Sequence, residues 1–154
     1  MIVYTGGTFD LFHEGHMNFL RQCRLLAGPN GSVIVSLNTD DFIERYKGRA
    51  PMQSYRVREA VLRNCTYVNK VVPNIGSEDS KPAIEAVDPD VVAIDTGWAF
   101  QDYYAQMSFT QQWLDERGIV LVYLPRTPGV STTQLRQHLG QIQRQRQREL
   151  DDQE

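Results

Sequence analysis

Ile2-Val3-Tyr4-Thr5-Gly6-Gly7-Thr8-Phe9-Asp10-Leu11-Phe12-His13-Glu14-Gly15-His16 opens the chain and decides how the rest is read. Ile2–Thr5 is a short apolar, β-branched run, as expected of a strand covered on both faces. Gly6 and Gly7 let the backbone turn sharply and approach a ligand closely. Met17–Leu26 is amphipathic at helical spacing. His13 and His16 stand three residues apart at the helix start, on neighbouring positions of one turn, and can grip one group together. Two cationic or hydrogen-bonding rings beside free backbone N–H groups suit the phosphates of a nucleotide. Gly15 leaves room for a phosphate beside the helix. On these residues alone, two structural histidines, or a metal site completed by Asp10, stay open.

Working outward, strand signals alternate with helix signals. Ser32–Leu37, Tyr67–Val72, Val91–Ile94 and Ile119–Leu124 read as four more strands. Gly15–Leu26, Ser54–Asn64, Lys81–Val87, about Gln101–Arg117 and Thr132–Arg148 read as helices, with Ser54 and Ser131 as N-caps. Such alternation predicts an α/β fold, a five-stranded parallel sheet flanked by helices and wound right-handed in the Rossmann manner. Ligands of such sheets bind outside the carboxyl ends of the strands. Gly6–Asp10, Asp95–Trp98 and Arg126–Thr133 lie at those ends and are expected to converge on one crevice.

The chain has 154 residues, enough for one domain with one core. That domain is expected over 1–140. The remainder, 141–154, alternates Gln with Arg and reads as a polar helix end or a disordered tail. A net charge of -3 argues against unspecific nucleic-acid binding. The two cysteines, Cys23 and Cys65, form no CxxC pair, which fits a reducing compartment rather than a disulfide framework. With no signal-peptide pattern and no long apolar run, a cytoplasmic protein without a membrane partner is the expectation.

A second motif is Arg126-Thr127-Pro128-Gly129-Val130-Ser131-Thr132-Thr133, between the fifth strand and the last helix. Its hydroxyls and N–H groups sit at a helix N-terminus, where the dipole favours anions. Arg126 adds a planar fork for two phosphate oxygens.

On these motifs the chain resembles the nucleotidyltransferase superfamily marked by His-x-Gly-His, and within it the glycerol-3-phosphate cytidylyltransferases. The matching residues are Gly7–Asp10 with His13–His16, then Leu37–Phe42, Ser54-Tyr55 with Arg58, Tyr67-Val68 with Val71–Pro73, and Tyr123–Thr133. The resemblance implies a transfer of CMP from CTP to a phosphorylated acceptor, glycerol 3-phosphate, releasing pyrophosphate. It implies Mg²⁺ on the triphosphate, with no dedicated metal ligands in the protein, and a homodimer. It assigns His13, His16, Lys47 and Arg126 to catalysis. The nucleotide would be bound by Gly7, Thr8, Phe9, Gly15, Asp95, Gly97, Thr127, Gly129, Val130, Ser131, Thr132 and Thr133, together with His13, His16 and Arg126. Asp40, Arg58 and Lys81 would bind the acceptor, although Arg58 has Glu59 and Glu44 as rival partners. Arg49 stands second to Lys47 as a phosphate ligand.

Two departures stand out. Thr66 replaces a family arginine, and Gly97 stands where the family has an aspartate near the base. Base choice rests on a few hydrogen bonds at such a position. The aromatic segment between Ala99 and Arg117 (Phe100, Tyr103, Tyr104, Phe109, Trp113) is expected to be helix core or dimer contact. Relatives using ATP, or sugar phosphate, phosphoethanolamine, phosphocholine or FMN as acceptor, and a non-catalytic nucleotide-binding domain, are the alternatives.

Overall fold

A computed structural model describes residues 1–97 and 102–151. Trp98, Phe100 and the start of the expected helix at Gln101 lie outside the described residues. The elements are β1 (Ile2–Gly7), α1 (Glu14–Ala27), β2 (Ser32–Leu37), α2 (Asp40–Lys47), α3 (Tyr55–Arg63), β3 (Lys70–Pro73), α4 (Lys81–Val87), β4 (Val91–Asp95), α5 (Tyr103–Met107), α6 (Gln111–Asp115), β5 (Val120–Leu124) and α7 (Thr132–Asp151).

The five strands form one sheet in the order β3-β2-β1-β4-β5. All pairs are parallel, with Ile2 opposite Ser32 and Gly7 opposite Leu37 on one side of β1, and Val3 opposite Val91 on the other. The chain leaves β1 for β2 on one side and later returns to β4 on the other. The reversal of strand order at β1 opens a crevice above its carboxyl end.

Alternation along the strands supplies two faces. Val3, Val91 and Ala93 pack with Val33 against Cys23 and Ala27 of α1. Tyr4, Val92 and Ile94 point the other way, onto Ala83 and Ile84 of α4, Tyr103 of α5 and Leu114 of α6. A third cluster joins Phe9, Leu20, Val35, Leu37 and Val71 to Leu62 of α3. These clusters hold the crevice walls in place from below.

The structure departs from the sequence expectations at several elements. β1 runs on through Gly7, because its pairing with β2 continues to Leu37. β3 starts at Lys70, not Tyr67: Val68 N–H closes a turn onto Cys65 O, and pairing with β2 begins only at Ile34 opposite Lys70. The stretch Asp40–Lys47, read as neither strand nor helix from the sequence, is helix. α2 is capped by Thr39 Oγ1, which accepts from Phe42 N–H at 3.3 Å, and it ends at Gly48 in the left-handed region (φ 66°).

The single helix expected up to Arg117 is two short ones. Ser108 adopts φ 59° and ends α5, and Thr110 caps α6, so that Phe109 drops into the core. Ser54 precedes α3 without a side-chain cap, and the Tyr55 N–H donates to Asp40 Oδ2 at 3.0 Å. The Gln/Arg stretch is helical through Asp151, and no residue of α7 is buried. Among the described residues no helix is long and apolar enough to cross a membrane.

Candidate active site

A cleft of about 350 Å³ opens above the carboxyl ends of β1, β2 and β4. The backbone entering it is unusual: Phe9 and Leu11 both adopt φ 49°. Such non-glycine residues in the left-handed region persist only where the surroundings hold them. Asp10, between them, does much of that holding. It is 4% exposed. Its Oδ2 accepts from Met52 N–H at 2.7 Å and from Arg136 Nη2 at 3.1 Å, and its Oδ1 accepts from Gln53 N–H at 2.9 Å. Burial alone would push its carboxyl up, but these donors and the Arg136 charge hold it below the usual carboxylate value. Its carbonyl accepts from Thr132 Oγ1 at 2.9 Å. Asp10 is thus a tie between β1, the segment before α3 and the start of α7. It makes no metal site with the histidines: among the described residues no group of three His, Cys, Asp or Glu is placed for one.

The two histidines cap α1. His13 Nδ1 accepts from Gly15 N–H at 3.0 Å, and His16 Nδ1 accepts from His13 N–H at 3.3 Å. The Gly15 N–H is therefore used within the helix cap. A nitrogen that accepts carries no hydrogen, so each neutral ring keeps its proton on Nε2 and offers that N–H to a ligand. The rings stack at 3.9 Å and 21°. Phe9 and Phe12 also flank His16. Burial, followed by the neighbouring His13, pushes the His16 pKa down to about 3. Burial and the Arg126 charge lower that of His13. Both rings are neutral donors at pH 7. Gly15 is required by packing, since a Cβ there would meet His13 Cε1 at 2.8 Å and Val130 Cγ1 at 3.1 Å.

On the opposite rim, Ser131 caps α7, its Oγ accepting from Gln134 N–H at 3.1 Å. Thr127 Oγ1 accepts from Asn18 Nδ2 at 3.1 Å, which ties this loop to α1. Gly129 turns the loop at φ 76°. Thr8, Phe9, Asp95, Arg126, Thr127, Val130, Ser131, Thr132 and Thr133 all line the cleft, as do Gly7 and Lys47. Gly97 lies beside it: a Cβ there would meet Asp95 Oδ1 at 2.7 Å and Arg126 Nη1 at 2.9 Å. Any side chain at Gly97 would displace one of those two groups. Lys47 stands at the end of α2, and desolvation of its ammonium in the cleft, with Arg49 and Arg136 nearby, lowers its pKa.

The three expected acceptor ligands are placed differently. Arg58 is 1% exposed, and its N–H groups are spent inside the protein. They donate to Gln53 O at 3.0 Å, Thr8 O at 2.7 Å, Asn38 O at 2.9 Å and Asp40 Oδ1 at 2.6 Å. Arg58 and Asp40 form a strut beneath the cleft and do not line it. The rivals Glu59 and Glu44 are not the partners either: Glu59 pairs with Arg63. Lys81 pairs with Asp79 at 3.0 Å and donates to Ser108 O, outside the cleft lining. In all three cases protein partners hold the polar group: acceptors for Arg58 and Lys81, and the donors Arg58 and Tyr55 N–H for Asp40.

Sequence reasoning missed Arg136 and Asn38. Arg136 lines the cleft from the second turn of α7 and reaches Asp10 and Ala50 O. Its spacing, four after Thr132, was the available signal. Asn38 donates to Thr8 Oγ1 at 3.3 Å, and nothing local in the sequence pointed to that contact.

Comparison with known proteins agrees with this geometry. A family model of cytidylyltransferase-like proteins matches residues 4–138. A glycerol-3-phosphate cytidylyltransferase of Bacillus spizizenii is 33% identical over 140 residues, covering 91% of this chain and 98% of the relative. An FAD synthase of Korarchaeum cryptofilum is 32% identical over 126 residues, covering 80% and 81%. Among solved structures, a lipopolysaccharide core biosynthesis protein from Thermoplasma volcanium shares the fold with a TM-score of 0.64 at 20% identity, covering 82% of this chain and 96% of that one. The stacked histidine pair, the arginine-bearing loop before α7 and a match over most of the chain lead to one conclusion: the protein belongs to the cytidylyltransferase-like family of nucleotidyltransferases.

Proposed function

We propose that the protein transfers CMP from CTP to glycerol 3-phosphate, giving CDP-glycerol and pyrophosphate. One observation carries the phosphate chemistry. Lys47, Arg49 and Arg126 line the cleft without an ion pair among the described residues, in a chain of net charge -3. Unpaired cations gathered in one cleft of an acidic protein await a polyanion. The match to glycerol-3-phosphate cytidylyltransferase over nearly its full length supports the choice of substrates.

In this reading an acceptor phosphate oxygen attacks the α-phosphorus in line. A new P–O bond forms as the bond to the pyrophosphate oxygen breaks, and the electron pair leaves with pyrophosphate. No protein nucleophile is needed, so positioning and charge neutralisation supply the rate. The Nε2–H groups of His13 and His16 donate to phosphate oxygens, while Lys47 and Arg126 neutralise developing charge. Ser131, Thr132 and Thr133 with the α7 N-terminus hold the nucleotide phosphates. Mg²⁺, carried by phosphate oxygens and water, would add neutralisation on the triphosphate. The Asp10 carboxylate is fully engaged and is not its ligand. A homodimer in the cytoplasm completes the proposal, with sedimentation as the check on assembly.

The FAD synthase relative at nearly equal identity supports a second reading, ATP with FMN. Pyrophosphate release over a panel of nucleotides and acceptors separates the two. CTP with glycerol 3-phosphate is expected to be fastest. FAD formation from ATP and FMN, without CDP-glycerol, would replace the first reading by the second. Nucleotide binding without turnover of any pair would mark a binding domain.

A further inference from the structure

The cleft has two chemically different parts. Its phosphate-directed groups, the cations Lys47, Arg49, Arg126 and Arg136 and the neutral rings of His13 and His16, all come from the starts of α1 and α7, the end of α2 and the adjoining loops. The part between α4 and α5 has none. It is lined by Ser36, Asn74, Ser80, Tyr103, Gln106 and Met107. This wall is stitched in place: Ser80 Oγ donates to Met107 O at 2.6 Å, and Ser108 Oγ donates to Glu78 O at 3.1 Å. Within it, Gln106 is half-buried, and its side-chain amide has no hydrogen-bond partner among the described residues. Asn74 is the second open amide. Its Nδ2 donates to Asn38 Oδ1 and Ser77 O, both at 3.0 Å, so the amide cannot flip, yet its Oδ1 is buried with no partner. A buried unpaired oxygen at a cleft wall, such as Asn74 Oδ1, is an exception that calls for a ligand.

We propose that Gln106 binds a hydroxyl of the acceptor and is a specificity determinant for a polyol phosphate, with Asn74 Oδ1 the second polar contact. This rests on the reading of the cleft as a nucleotidyl-transfer site. An amide both donates and accepts, so it matches a hydroxyl, which does the same. With no cation among its lining residues, this wall offers nothing to a carboxylate. The acceptor phosphate belongs to the cationic part of the cleft, and its neutral hydroxylated carbons to this part. A site built to pair a hydroxyl rejects the analogue lacking it far more strongly than an apolar pocket can.

The test is a cycle of two enzymes and two acceptors: wild type and Gln106→Met, each with glycerol 3-phosphate and with its analogue lacking one hydroxyl. The wild type is expected to prefer the complete acceptor by about tenfold or more in kcat/KM. Gln106→Met is expected to raise KM for glycerol 3-phosphate by a similar factor, keep KM for CTP, and treat the two acceptors alike. Gln106→Asn should recover part of the preference. A Gln106→Met enzyme that retains the preference, or that loses CTP binding along with it, overturns the proposal. If the wild type makes FAD and no CDP-glycerol, the parent reading fails first. If it makes CDP-glycerol while the cycle shows no coupling, only the role of Gln106 fails.

Discussion

Two arginines flank the same cleft and do opposite work. Arg58, on α3, is 1% exposed and gives its hydrogen bonds to Gln53, Thr8, Asn38 and Asp40. Arg126, in the loop after β5, is exposed and carries no ion pair among the described residues. From their sequence neighbourhoods both read as substrate ligands. The difference lies in what surrounds them. Three backbone carbonyls and a carboxylate converge on Arg58, and a guanidinium so satisfied has nothing left for a ligand. Among the described residues the Arg126 guanidinium meets no acceptor, and its charge adds to burial in lowering the pKa values of His13 and His16. The first arginine builds the floor of the cleft and the second keeps charge available above it.

Substitutions can break this division. His16→Ala, on the open side, is expected to have the largest effect. It should lower kcat by on the order of 10³-fold, about 4 kcal/mol, as expected for loss of a preorganised donor. Because the ring also caps α1 through the His13 N–H, Tm should fall slightly while the fold persists. A variant at full rate would remove His16 from the chemistry.

Arg58→Met tests the closed side. It strands the Asp40 carboxylate and three carbonyls, and the expected loss is about 3 kcal/mol of stability, read by urea unfolding. Unchanged stability with a raised acceptor KM would return Arg58 to the role of a ligand.

Arg126→Ala should do the reverse. A drop of about 10²-fold in kcat/KM is expected at unchanged Tm, since no partner among the described residues loses a bond. Lower stability without a kinetic loss would erase the contrast.

The smallest effect is a pH slope. His16 titrates near pH 3 in the folded protein and near 6.5 when unfolded. Below about pH 6.5 the unfolded chain takes up a proton that the folded chain refuses. Stability should therefore fall between pH 6.5 and 3, by at most about 1.4 kcal/mol per pH unit from this group. Urea unfolding of wild type against His16→Asn at pH 7 and 5 reads it, and equal slopes would refute a neutral buried ring.

Which of these features was legible beforehand follows from the range of the forces involved. The β1–α1 motif and the α7 loop were readable because each acts through its own few residues: a glycine turn, a cap, a helix N-terminus. The acceptor ligands were misplaced because Asp40 and Arg58, 18 residues apart, find each other only when α2 and α3 pack. Arg136 escaped notice because its target, Asp10, lies 126 residues away. The helix expected up to Arg117 split at Ser108 because burying Phe109 outweighed helical continuity.

The sequence by itself determined the parallel α/β fold, the carboxyl ends of the strands as the end where the cleft opens, and the two motifs that line it. These rest on local periodicity and on chemistry carried by adjacent residues. Only the tertiary structure decided which polar groups remain available. A hydrogen-bonding group serves a substrate only if no protein partner claims it, and those partners are brought by the packing of distant elements.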